Sequence, residues 1–204
     1  MDEKEHAERV ELSPQAGLTL IELLIYMVLA VMVLFIVGGL LVTSLSSERT
    51  VRDSTRASNT GQLIAQSVGQ GVRNATAMKV TDLGGGSQLL MVRTASVTTG
   101  QAWLCQAWYF GGGEVRTTMT SPATLIPTST ANIATWSLLG TGMQSVSGGP
   151  VFTASPTTNP RSVILNFDVS AGTSKSVRIN TSAKSLQPVP VPVPPTGLVS
   201  SPCF

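Results

Sequence analysis

The longest uniform pattern in the chain is apolar: residues 23–42 run for twenty positions without a charge. An α-helix rises about 1.5 Å per residue, so this length matches the roughly 30 Å hydrocarbon core of a bilayer and predicts a membrane-spanning helix. Hydroxyl and charged residues return beyond it. Even so, Ile64, Val68, Val72 and Ala75 recur at steps of four, four and three, the spacing that lines one face of an amphipathic helix. Glu48, Arg52, Arg56 and Arg73 are read as its solvent side. Gly61, Gly69 and Gly71 oppose the pattern, each costing about 1 kcal/mol relative to alanine in a helix interior. The helix is expected to continue over residues 43–78, with its end near residue 75.

The period then changes. Residues 78–83, 88–97, 103–110, 114–120, 163–169 and 176–180 are short runs rich in valine, threonine, leucine and aromatics, bounded by glycine or Ser/Thr/Pro clusters. Each is a predicted strand. Gly111-Gly112-Gly113 joins the third and fourth runs, and Ala171-Gly172-Thr173-Ser174 joins the last two; connections this short predict antiparallel hairpins. Alternation along 103–110 puts Trp103 and Tyr109 on one face and Trp108 and Phe110 on the other, most of them expected in the core. Residues 121–160 are rich in proline, glycine and threonine, with Trp136, Leu138 and Leu139 as the expected anchors. Proline and valine alternate from 188 to 195, which predicts polyproline II, because proline fixes φ and removes a donor. One long helix followed by strands makes an α+β order.

A single carboxylate interrupts the apolar start. Glu22 is the only charged residue between Glu11 and Glu48, and a charge well inside a bilayer costs about 2.5–3.5 kcal/mol even on a lenient insertion scale. Taken alone, it is an acid near the headgroups, favoured by the helix dipole. Its neighbours are more specific. Gly17-Leu18-Thr19-Leu20-Ile21-Glu22-Leu23-Leu24 resembles the processing site of type IV prepilins and type II secretion pseudopilins, with Leu18 standing where that family usually has Phe.

The resemblance implies that residues 1–17 are a leader, cut between Gly17 and Leu18 by a prepilin peptidase, and that the new amino terminus is methylated. It further implies a pilin-like α+β fold. Residues 18–42 would be the transmembrane and assembly helix, 43–78 its amphipathic continuation packed on an antiparallel head, 79–187 that head, and 188–204 a Pro-rich tail. Glu22 would meet the α-amine of Leu18 in a neighbouring subunit, neutralising a buried charge only in the right axial register. Gly38 and Gly39 lie where many pilins carry a helix breaker and are expected either to let the helix bend during assembly or to permit close helix contact. The implied partners are other pilin subunits, the peptidase, inner-membrane assembly machinery and, before assembly, the membrane itself.

Charge alone does not orient the helix, since two Lys/Arg precede it and Arg49, Arg52 and Arg56 soon follow. The resemblance puts the leader in the cytoplasm and the head outside, in the periplasm or at the cell surface. There Cys105 and Cys203, the two cysteines of the chain, are candidates for one disulfide. Residues 1–17 hold five acids and two bases, leaving 6 acids and 11 bases and a net charge of +5 after cleavage. Arg93, Arg116, Arg161, Lys175 and Arg178 would make a DNA-binding patch if clustered on one face, and would serve solubility if dispersed.

Enzymatic chemistry is not expected. The only histidine, His6, lies in the leader, which leaves no Ser-His-Asp or Cys-His set. Glycines 84–86 and 111–113 lack the lysine of a phosphate loop, and Asp82, Glu114 and Asp168 are not spaced as a glycosidase pair. Two separated cysteines make no zinc set, and no cofactor is expected. The function implied is that of a minor pilin or pseudopilin, assembled into or at the tip of a type IV pilus or type II secretion filament. A DNA- or surface-binding pilus subunit is the alternative.

Overall fold

The computed structural model describes residues 19–95, 103–172, 174–188 and 201–204. By contact the chain divides into two compact units, Met1–Ser47 and Glu48–Phe204. Helix α1, Leu20–Asn74, contributes to both.

In the first unit the helix has no apolar stripe because every face is apolar. The large side chains between residues 23 and 42 are 49% to 77% exposed, and the helix is long and apolar enough to cross a membrane. A helix hydrophobic all round is suited to apolar surroundings on every side.

In the second unit α1 buries one face through Ala57, Gly61, Ile64, Val68, Gly69, Gly71 and Val72. Ile64, Val68 and Val72 belong to the predicted stripe. Its fourth member, Ala75, is also buried, but as the first residue of β1, Ala75–Gly84. The expected helical extension to residue 78 is thus corrected: Ala75 pairs with Thr94 and Met78 with Val92 in β2, Ser87–Ala95. Their backbone groups are satisfied by a ladder instead of a helical turn. The helix end is sealed from elsewhere in the chain, with the Leu186 N–H donating to the Arg73 carbonyl at 2.9 Å and Ser185 Oγ to the Ala75 carbonyl at 2.7 Å.

The first sheet is antiparallel throughout, in the order β1-β2-β3-β4-β5, with β3 at Trp103–Gly111, β4 at Glu114–Thr120 and β5 at Ser137–Thr141. The second is built on β8, Ser162–Ala171. It carries β9, Ser174–Lys184, along one edge, and β6, Met143–Ser145, and β7, Phe152–Ser155, along the other. The six predicted runs correspond to β1–β4, β8 and β9. Residues 96–97, expected at the end of the second run, lie outside the described residues. Both predicted hairpins form. Gly112 and Gly113 turn the first with φ of 59° and 79°, the left-handed values that a two-residue hairpin of this twist requires.

Residues 121–160 are more ordered than their pattern suggested, supplying β5–β7 and the short helix α2, Thr130–Ile133. Trp136 is buried as expected. The other two anchors need correction: Leu138 is 48% exposed, and Leu139 only packs partly buried against the core. A bulge explains the shift, since Leu138 pairs with Arg116 and Gly140 with Val115, leaving Leu139 out of the ladder. Ile126, Ile133, Met143, Val151 and Phe152 take the core positions instead.

The two faces of the first sheet are both covered. One face, with Leu90, Val92, Trp108 and Phe110, shares a core with α1 and the second sheet. The other, with Leu89, Met91, Cys105 and Ala107, packs against Ile126, Ile133, Trp136 and Cys203. Burial on two faces accounts for the unbroken apolar run in β2. The aromatic alternation along β3 falls as predicted, but only Trp108 and Phe110 are in the core; Trp103 is exposed and Tyr109 half-buried. Gln88 joins the sheets: its buried Oε1 accepts from the Val151 and Phe152 N–H groups at 2.7 and 2.8 Å.

Two glycines that weaken the helix by propensity are where other elements approach it. A Cβ on Gly61 would lie 2.6 Å from Ile179 Cγ1, and one on Gly71 would lie 2.0 Å from Trp108 Cη2. No larger residue fits there without displacing its neighbour.

Candidate functional site on the amino-terminal helix

The apolar helix begins at a polar residue for a local reason. Thr19 caps α1, its carbonyl and Oγ1 accepting from the Glu22 N–H at 3.0 and 3.4 Å. Thr19-Leu20-Ile21-Glu22 has the T-x-x-E form of a capping box, in which the glutamate reaches back to the cap amide. Among the described residues that reciprocal bond is absent. Glu22 Oε1 instead accepts from the Tyr26 hydroxyl, one turn further on, at 3.3 Å. Tyr26 was not singled out by pattern reading, although its i+4 spacing from the sole carboxylate was visible in the sequence.

The helix runs unbroken through Gly38 and Gly39, and a Cβ at either would meet nothing within 4 Å. One turn after Gly39, Thr43 Oγ1 donates back to its carbonyl at 3.0 Å, a bond that competes with the helical ladder and bends helices slightly. Gly17 and Leu18, the expected processing site, lie outside the described residues, as does the leader.

Cys105 and Cys203 form a disulfide, with S–S of 2.02 Å and Cα–Cα of 5.5 Å. Both residues are fully buried, and the Ile126 N–H donates to the Cys203 carbonyl at 3.3 Å. The bridge joins residues 98 apart in sequence and ties the C-terminal end onto the outer face of the first sheet. Residues 189–200, most of the expected Pro-rich tail, lie outside the described residues.

Of the five basic residues considered for DNA, Arg93 lies in β2, Arg116 in β4, Arg161 just before β8, and Lys175 and Arg178 together in β9; four already make contacts within the chain. The Arg93 guanidinium donates to Thr76 Oγ1 and stacks 4.6 Å from the Trp103 ring centroid. Arg116 binds Glu114 and the carbonyls of Ala134 and Trp136, Arg161 binds the Gln187 carbonyl, and Arg178 binds Asp168. Burial lowers the Arg93 guanidinium from its ordinary value, whereas the hydrogen bond and charge of Asp168 raise that of Arg178. Arginine starts so high that both stay charged at any working pH.

Beside α1 in the second unit opens a cleft of about 580 Å³, with Asp53, Arg56 and Thr60 on its helical wall. Gly172 lines it at a φ of 62°, a left-handed conformation that favours glycine, and a Cβ there would lie 2.8 Å from Asp53 Oδ2, which would have to swing aside. Comparison with protein-family models, curated proteins and solved structures finds no match.

Proposed function

We propose that this chain is a minor pilin or pseudopilin, made as a precursor, cut after Gly17 and assembled through its amino-terminal helix into a type IV pilus or related filament. The observation that carries the reading is the first unit of the structure: a helix exposed and apolar on every face, with one carboxylate, Glu22, at its start. It is supported by the Gly17-to-Leu24 motif and by a pilin-like order of elements, a long helix with its second half packed on antiparallel strands. The buried disulfide supports an exported head, because such bonds persist in oxidising compartments. The local contacts of Arg93, Arg116, Arg161 and Arg178 favour a structural subunit over one that captures DNA.

In this reading the helix first anchors the precursor as a single-pass protein of the cytoplasmic membrane. It then exchanges lipid for the apolar core of a filament, with Glu22 meeting the Leu18 amine of an adjacent subunit. Removing one member of a buried ion pair leaves the other uncompensated, at a cost of about 3–5 kcal/mol. Two measurements test the proposal. Coexpression with a prepilin peptidase should shorten the chain by residues 1–17, and an unshifted mass would overturn processing. Glu22→Ala should insert into the membrane but fail to enter filaments; normal incorporation would overturn assembly through this residue.

A further inference from the structure

We propose that the Tyr26 hydroxyl is a positioning group of the assembly contact, holding one oxygen of the Glu22 carboxylate so that the other receives the ammonium of a neighbouring subunit. The inference rests on the assembly reading above and adds a residue to it.

The T-x-x-E motif offers Glu22 a local partner, the cap amide, and the carboxylate does not take it; its Oε1 is engaged by Tyr26 at 3.3 Å. Side chains on a helix lean toward its amino terminus, so a residue at i+4 lies over residue i. Phenylalanine would cover Glu22 equally well but donate nothing. Tyr26 is also the only side-chain hydrogen-bond donor in residues 20–42.

A donor at that place answers a definite physical need. An ionised carboxylate has about four lone-pair sites, and a buried ion pair recovers its desolvation cost only where further hydrogen bonds satisfy the sites the counter-ion leaves open. In an apolar filament core no water is present to do so. The Tyr26 hydroxyl supplies one such bond from within the same helix and is already in place before the partner arrives. It also restricts the carboxylate to one side of the first turn, which narrows the axial register at which an incoming amine is neutralised.

The test compares wild type, Tyr26→Phe, Glu22→Gln and the double variant in cells that assemble the filament, measuring the filament-incorporated fraction against the amount of subunit in the membrane. Tyr26→Phe should leave the membrane level unchanged and lower incorporation about tenfold or more, the scale of one hydrogen bond to a charged group. Glu22→Gln should lower it at least as far, and the double variant no further than Glu22→Gln alone. Wild-type assembly of Tyr26→Phe would overturn the proposal, as would a loss that adds in full to that of Glu22→Gln, since the hydroxyl would then be acting on something other than the Glu22 carboxylate. If Glu22→Gln itself assembles normally, the underlying assembly reading falls and this proposal with it. If Glu22→Gln fails while Tyr26→Phe assembles, only the role of Tyr26 falls.

Discussion

Gly69 and Gly71 stand two residues apart on α1, both buried, and the same substitution should have opposite signs at the two. A Cβ at Gly71 would lie 2.0 Å from Trp108 Cη2 and 2.9 Å from Cζ2. Carbon atoms rest about 3.5–4.0 Å apart, so the ring would have to retreat by roughly 1.5 Å. It is not free to do so. Trp108 is fully buried, and its Nε1–H donates to Ser67 Oγ at 3.0 Å, on the same helix it would have to leave. Overpacking of this kind costs about 1–3 kcal/mol, and loss of the indole hydrogen bond adds about 1 kcal/mol. Helix propensity returns about 1 kcal/mol. Gly71→Ala should therefore destabilise the second unit by about 2 kcal/mol, or about 4–8 °C in Tm for a domain of this size.

At Gly69 a Cβ would meet nothing within 4 Å. Only the propensity term remains, so Gly69→Ala should stabilise by up to about 1 kcal/mol. Urea unfolding of the detergent-solubilised chain, followed by tryptophan fluorescence and extrapolated linearly, reads both changes on one scale. A Gly71→Ala variant as stable as wild type would refute the close approach of Trp108. Two shifts of the same sign would refute the idea that neighbours, and not backbone freedom, decide these positions.

Two further predictions concern what holds the head together. Replacing Cys105 and Cys203 by serine should cost about 2–5 kcal/mol, the range expected for a bridge closing so long a loop; in the folded wild type both cysteines should resist reduction and alkylation until denaturant is added, and labelling without it would contradict their burial. Gln88→Leu orphans the N–H groups of Val151 and Phe152, and at about 1–3 kcal/mol for each unsatisfied group the loss should be at least about 2 kcal/mol. Hydrogen exchange should quicken at residues 151 and 152 in that variant, and unchanged protection there would refute the clamp.

Much of the architecture was legible because it depends on local period. Ile64, Val68 and Val72 mark the buried helix face by spacing alone, and the glycine turns at 111–113 and 171–174 fix two hairpins from φ requirements that few other residues meet. What could not be read depends on partners distant in sequence. Gly61 and Gly71 look like defects in a helix until Ile179 and Trp108 arrive against them from strands more than thirty residues away. The bulge at Leu139 exists only because β4 and β5 pair out of step, so no count of apolar residues within 121–160 would have exposed Leu138. Glu22 was legible as the one charge in an apolar stretch. Its bond to Tyr26 was not read, although both residues and their spacing lay in view.

The apolar run and its carboxylate make different demands, and that difference separates anchoring from assembly. Residues 23–42 are satisfied by any apolar medium, lipid or packed helices, because they are apolar on every face. Glu22 is not satisfied so easily: lipid chains offer it no donor, Tyr26 offers one, and an adjacent subunit offers a full opposite charge. Glu22→Gln keeps the shape of the side chain while removing its charge, and a charge in the bilayer costs up to about 2.5–3.5 kcal/mol. Insertion should therefore be unimpaired or improved while incorporation into filaments falls. Carbonate extraction of membranes measures the first and the sheared-filament fraction the second. A variant that lost both together would show that Glu22 serves the fold or the insertion of the helix, and the case for a charge-guided docking step would fail.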